Sequence, residues 1–144
     1  MVDVITEITI EKDIRTVADF SANPDNAPLW YVNIKSVEWI TGKPLEAGSQ
    51  IAFKARFLGR ELAYIYEVAE YINNERLVMR TSQGPFPMET TYSWKPLGKM
   101  QTRMSLRNAG QPTGFSKLLS PFMQIMIKRA NNKDLSKLKR ILES

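Results

Sequence analysis

The sequence predicts an α+β fold: a curved seven-stranded antiparallel sheet, two short helices after the first strand, and a long C-terminal helix packed on the concave face. Three observations carry that expectation. From Phe115 to Leu142, apolar residues recur at steps of three and four (Phe115, Leu118, Leu119, Phe122, Ile125, Met126, Ala130, then Leu135, Leu138, Ile141, Leu142), which places them along one side of an α-helix. Between Ile34 and Asn108 the pattern is instead a two-residue alternation, as expected of strands with one buried face. Short turn-forming stretches separate the alternating runs, so successive strands pair as an antiparallel meander. A helix that follows such a sheet covers its apolar stripe by lying across one face of it.

The first strand is Val2–Ile10, where Val2, Val4, Thr6, Ile8 and Ile10 oppose Asp3, Ile5, Glu7 and Thr9. Asp13 stands as N-cap of a helix over Ile14–Phe20, with Ile14, Val17 and Ala18 on one side. Asn23-Pro24-Asp25 ends it, and a second short helix covers Ala27–Val32. Strands follow over Ile34–Thr41, Gln50–Phe57, Leu62–Glu70, Arg76–Ser82, Met88–Trp94 and Met100–Arg107. Gly42-Lys43-Pro44, Leu58-Gly59-Arg60, Asn73-Asn74, Gly84-Pro85 and Pro96-Leu97-Gly98 supply the turns. In the C-terminal helix, Ser120-Pro121 interrupts the periodicity. Proline is comfortable in a first turn, so Ser120 is expected to cap the main helix, with Thr113–Leu119 as a preceding turn or kinked extension.

A chain of 144 residues without a Gly/Ser- or Pro-rich linker reads as one domain, 1–144. No apolar stretch approaches the roughly 20 residues of a membrane span. The opening residues lack a basic segment followed by an apolar one, so a cytoplasmic location is expected. The absence of cysteine and histidine excludes disulfides, thiolate nucleophiles, the usual zinc sites and imidazole catalysis. No metal or organic cofactor is expected. The net charge of +5 gathers toward the C-terminus in Lys128, Arg129, Lys133, Lys137, Lys139 and Arg140. These read as a solvated helix face whose cations favour the negative end of the helix dipole. Weak contact with an anionic membrane surface is the alternative use. No zinc-finger, RNP or GXXG pattern points to nucleic acid.

In this order of elements the chain resembles the START-like (SRPBCC) superfamily with the helix-grip fold. Within it, the chain is similar to the bacterial polyketide cyclase/dehydrase and lipid-transport-like group. Asn23-Pro24, Leu29-Trp30, Val37-Glu38 and Gly48 carry the resemblance, with Leu118-Leu119-Ser120-Pro121, Arg129-Ala130-Asn131-Asn132 and Asp134-Leu135 at the end. It spans essentially the whole chain. The resemblance implies a cavity between sheet and helix that binds or carries a small hydrophobic molecule such as a lipid, quinone or polyketide.

The candidate ligand-binding residues on the sheet are Phe53, Phe57, Tyr64, Tyr66, Met79, Tyr92 and Met104. Trp30 joins them from the short helices, and Phe115, Leu119, Phe122 and Met126 from the long one. Aromatic rings and methionines give large, adaptable contact area, and tyrosine adds a hydroxyl for orientation. Such side chains either meet and fill the space or line a pocket, of the roughly 300–1,000 Å³ that suits a drug-sized molecule. The loops at Gly42–Gly48 and Gly84–Met88 and the helices near Trp30 are expected to govern access. Arg56 and Arg80 fall on the wet face; a one-residue bulge would turn either inward, where it could anchor a ligand carboxylate. Catalysis has a weaker basis: Glu61, Glu67 and Glu89 sit on strands facing solvent, and no pair of carboxylates is forced into one pocket. A cyclase or dehydrase enzyme, or an interaction module that uses the basic helix, remains the alternative. Oligomeric state is not legible.

Overall fold

The computed structural model describes residues 2–57, 59–83, 87–110 and 120–144. Seven strands form an antiparallel sheet: β1 (Val2–Ile10), β2 (Ile34–Trp39), β3 (Gln50–Phe57), β4 (Arg60–Ile72), β5 (Arg76–Gln83), β6 (Met88–Gly98) and β7 (Gln101–Gly110). Their order across the sheet is β1-β7-β6-β5-β4-β3-β2, so β2 to β7 are a meander and β1 closes against the last strand. Between β1 and β2 run α1 (Ile14–Ala22), a 3-10 turn (Pro24–Asn26) and α2 (Ala27–Trp30). The C-terminal helix, α3, spans Ser120–Glu143.

Local chemistry explains the boundaries. Asp13 caps α1 by accepting from the Thr16 backbone N–H (3.2 Å) and the Thr16 hydroxyl (2.6 Å). Asn23 accepts from the Asp25 N–H at 3.0 Å, and Pro24 opens the 3-10 turn. Two residues join β3 to β4, with Gly59 at φ 76°, a conformation glycine adopts without steric cost. Asn74 takes φ 61° in the β4–β5 turn, which asparagine tolerates better than most residues. The hairpin expected at Pro96-Leu97-Gly98 lies further on. β6 continues through Gly98 with an irregularity between Pro96 and Gly98, and the chain reverses at Lys99–Met100. A bulge is one of the few places where a strand accommodates proline's missing N–H. Pro121 falls in the first turn of α3, where its missing N–H costs nothing. Residues 113–119 and Gly84-Pro85 lie outside the described residues.

The strand register stacks the inward side chains. Phe53 opposes Tyr64, Met79 opposes Thr90, Leu77 opposes Tyr92, and Trp94 opposes Met104. At one end of the sheet this face is closed by α1, Trp30 of α2, and Leu135 and Leu138 of α3, all packed into one core with Trp94, Met104 and Leu106. The indole N–H of Trp94 donates to Ser21 Oγ (2.9 Å), which donates to Val17 O (2.7 Å), so these two buried donors are satisfied.

α3 runs alongside β1 in the same direction. Its start meets the strand's start, where Val2 and Val4 pack with Met123 and Ile127. At its end, Lys139 Nζ donates to Thr9 O (2.7 Å) and Glu143 accepts from the Glu11 N–H (2.8 Å). A long helix and a shorter strand stay in step because roughly 1.5 Å per helical residue and roughly 3.3 Å per strand residue cover the same distance.

The expected apolar stripe of α3 is corrected in its first half. Phe122 and Ile125 are about half exposed, while Met123, Asn131, Asp134, Leu135 and Leu138 are buried. Counting back from Leu138 by threes and fours gives Leu135 and Asp134, Asn131, Ile127 and Met123. The two polar residues on that path break the apolar run, and a stripe drawn through apolar residues alone slips by one position, onto Met126 and Phe122.

Candidate ligand-binding site

The first half of α3 does not close on the sheet. Between them lies a cavity of about 190 Å³, partly open to solvent. Its volume is below that expected from the sequence. The sheet wall is made by Phe53 and Ala55 of β3, Leu62, Tyr64 and Tyr66 of β4, Met79 of β5, and Met88, Thr90 and Tyr92 of β6, with Asn108 of β7. The helix wall is Met123, Ile127, Ala130, Asn131 and Asp134, and Tyr31, Asn33 and Ile34 close the side after α2. The space exists because small side chains (Ala55, Thr90, Ala130) fall where two tryptophans fill the other end of the same layer.

The aromatic residues hold one another in place. Phe53 and Tyr66 meet edge to face with centroids 5.8 Å apart, Tyr64 lies 5.9 Å from Tyr66, and Trp30 lies 5.8 Å from Tyr92. Tyr31 and Tyr92 join hydroxyls at 2.6 Å. Thr90 Oγ1 donates to Asn108 Oδ1 at 2.8 Å. The Asp134 carboxylate accepts from the Val32 backbone N–H at 2.9 Å, which ties α3 to the segment after α2. The amide nitrogen of Asn131 is buried without a partner among the described residues.

Burial sets the protonation states. It raises the Asp134 carboxyl from its ordinary 3.8 to about 6, against the smaller opposing pull of the Val32 N–H and Lys137. The Tyr64 phenol is pushed up to about 12, by burial first and by Tyr66 second. Burial also raises Tyr31, Tyr66 and Tyr92, so all four phenols are neutral near pH 7. No lysine or arginine is among the described lining residues.

Of the residues singled out from sequence, Phe53, Tyr64, Tyr66, Met79 and Tyr92 come together on the cavity wall. Trp30 and Met104 do not: both are fully buried in the core beyond the cavity's end. Strand alternation reports which face a side chain takes, not how far along the sheet the space extends. Phe122 points to solvent and Met126 is not a lining residue, for the helical reason given above. The side chain of Phe57, and Phe115 and Leu119 as a whole, lie outside the described residues. Of the segments expected to govern access, Met88 lines the cavity while residues 84–86 lie outside the described residues; Tyr31, Asn33 and Ile34 also line it, whereas none of residues 42–48 does. Arg80 is exposed and pairs with Glu89 at 2.7 Å, as expected of a wet face.

Sequence reasoning missed Tyr31, Asn131 and Asp134. Tyr31 follows immediately on Trp30 and was overshadowed by it. Asn131 and Asp134 were legible only by extending the Leu135/Leu138 spacing backward.

An antiparallel sheet gripping a C-terminal helix over an apolar cavity is the helix-grip architecture of START-like proteins. The profile of the family described as "Polyketide cyclase / dehydrase and lipid transport" matches residues 1–143, and the chain belongs to that family. Solved structures with the same fold include a START superfamily protein from Mycobacterium smegmatis (TM-score 0.85, 17% identity, 98% of this chain and 97% of that one). The protein TTHA0849 from Thermus thermophilus is similar at TM-score 0.84 and 19% identity, over 97% of this chain and 96% of that one. The Zhui aromatase/cyclase from Streptomyces sp. R1128 is similar at TM-score 0.82 and 12% identity, over 98% and 93%. Among curated proteins, none matches this chain. No described helix is long and apolar enough to cross a membrane.

Proposed function

We propose that the protein binds a small hydrophobic molecule, a lipid, quinone or polyketide-like compound, non-covalently in the cavity between sheet and α3. The observation that carries this reading is the cavity itself: about 190 Å³, partly open, and walled mainly by aromatic, methionine and aliphatic side chains. Membership of a family named for polyketide cyclases and lipid transport supports it. The proposal places Phe53, Tyr64, Tyr66, Met79 and Tyr92 in contact with the ligand, with Met123 and Ile127 from the helix. It extends to a cytoplasmic, cofactor-independent protein, and cell fractionation tests the location. Titration with an environment-sensitive apolar dye tests the binding. The proposal predicts saturation at one dye per chain and weaker binding in Phe53→Ala. A linear, unsaturable response with no change in that variant would sink it.

One observation favours a second reading, an enzyme of the cyclase or dehydrase kind. A carboxyl held near 6 inside an apolar cavity, beside two phenols, is suited to proton transfer at neutral pH. Under that reading Asp134→Asn abolishes turnover of a polyketide-like substrate and leaves dye binding intact.

A further inference from the structure

The cavity is apolar in most of its wall, but Asn131 and Asp134 of α3 and the Tyr31–Tyr92 pair bring polar groups to it with an unbalanced inventory. Asn131 and Asp134 are one helical turn apart on the same face, 4% and 2% exposed. The Asn131 amide nitrogen has no acceptor among the described residues. The Asp134 carboxylate uses one oxygen on the Val32 N–H, and the other has no partner among the described residues. Tyr31 and Tyr92 bring two O–H protons to a single bond between their oxygens, so one proton is left over. Asp134 lies close enough to influence both phenols. The unmet needs are therefore one acceptor, for the Asn131 N–H and the spare phenol proton, and one donor, for the free Asp134 oxygen. A buried donor left without a partner is costly, so a ligand that supplies these groups gains where a plain hydrocarbon does not.

We propose that Asn131, Asp134 and the Tyr31–Tyr92 pair form a polar subsite for an uncharged head group that carries a carbonyl and a hydroxyl on neighbouring atoms. The carbonyl oxygen accepts from Asn131 Nδ2 and from the phenol pair, and the hydroxyl donates to Asp134. The apolar body of the ligand lies against Phe53, Tyr66, Met79 and Met123. The same subsite rejects carboxylate and phosphate head groups. Among the described residues, the lining holds no lysine or arginine to neutralise an anion. Asp134 would face it as a second negative charge, in surroundings that screen poorly. The ligand class is thus neutral hydroxy-carbonyl compounds rather than fatty acids or phospholipid head groups. This inference rests on the reading that the cavity holds a ligand.

Four probes of nearly equal size separate the groups: phenacyl alcohol (carbonyl and hydroxyl), acetophenone (carbonyl only), phenethyl alcohol (hydroxyl only) and phenylacetate (anion). Each is titrated against the full-length protein at pH 8, where Asp134 is ionised, by displacement of the apolar dye. The subsite predicts that phenacyl alcohol binds tightest. Each single-group probe is weaker by roughly fivefold to tenfold, the worth of one hydrogen bond, and phenylacetate by more than tenfold. Asp134→Asn keeps an oxygen for the Val32 N–H and removes the charge, so it narrows the gap between phenacyl alcohol and phenylacetate. Asn131→Leu removes a donor to the carbonyl, so it weakens acetophenone relative to phenethyl alcohol. These are ratios within one protein, so a partly unfolded variant still reports them. If the dye saturates but the four probes compete equally, the polar subsite is wrong and the hydrophobic cavity stands. If phenylacetate equals phenacyl alcohol, the exclusion of anions is wrong. If neither dye nor probe saturates, the ligand-binding reading fails and this inference fails with it.

Discussion

Asp134→Asn should make the protein more stable at pH 8 and leave it nearly unchanged at pH 4. The carboxyl is buried, and its folded value of about 6 stands above the ordinary 3.8. Below pH 3.8 it is protonated in both folded and unfolded chains and favours neither. Between 3.8 and about 6 the unfolded chain has released this proton while the folded chain keeps it, so stability falls as pH rises. Above about 6 the loss is complete. At about 1.4 kcal/mol per pH unit, the interval corresponds to roughly 3 kcal/mol. The bond from the Val32 N–H is already included in the value of about 6, because it acts on the ionised form. Asparagine keeps an acceptor for that N–H and cannot ionise. Urea denaturation of both proteins at pH 4, 5, 6, 7 and 8 provides the test. The difference curve cancels the exposed carboxylates Asp3, Asp13 and Glu143, whose partners hold them below their ordinary values and whose contribution is lost only at lower pH. The expected difference rises from near zero at pH 4 to about 3 kcal/mol in favour of the variant at pH 8. A flat difference across this range would refute the burial argument, and with it the charged character assigned to the cavity's helix end.

Three further outcomes follow from the packing. Met123→Ala should weaken dye binding roughly tenfold, as the loss of one side chain's contact would, while Met126→Ala leaves it unchanged; equal effects would mean that α3 presents a different face to the cavity. Leu138→Ala should cost about 2–5 kcal/mol in chemical denaturation with little effect on dye affinity per folded molecule, because Leu138 is fully buried away from the cavity. Ser21→Ala should cost about 1–3 kcal/mol, since the buried Trp94 indole loses its acceptor; a neutral outcome would show that the indole N–H finds another partner.

The sheet was legible because alternation is unambiguous where one face is wet. In β1 and β6 every inward residue was identified from Val2, Val4 and Thr6, and from Thr90, Tyr92 and Trp94. The Asp13 cap was legible because it solves a specific backbone hydrogen-bonding problem, and Pro121 in the first described turn of the long helix because its missing N–H is tolerated there. The cavity wall was only half legible. Alternation put Phe53, Tyr64 and Met104 on one face, yet Met104 is packed under Trp94 and Phe53 borders open space. That distinction depends on where the tryptophans and the small residues fall across strands, which no single strand reveals. The helix face was misplaced for a related reason. Two polar residues, Asn131 and Asp134, stand where packing alone would put apolar ones, and a hydrophobicity pattern passes over them.

Methionine methyl groups test the central claim most directly, because they sample both the cavity and its surroundings. With methyl-labelled methionine, an NMR titration with phenacyl alcohol reads Met79, Met88 and Met123 on the cavity wall, Met104 in the core and Met100 on the surface in one spectrum. The account predicts saturable shifts at the first three and none at Met100 or Met104. Shifts at Met100 alone, or equal shifts at all five, would place the ligand on the outside and contradict it.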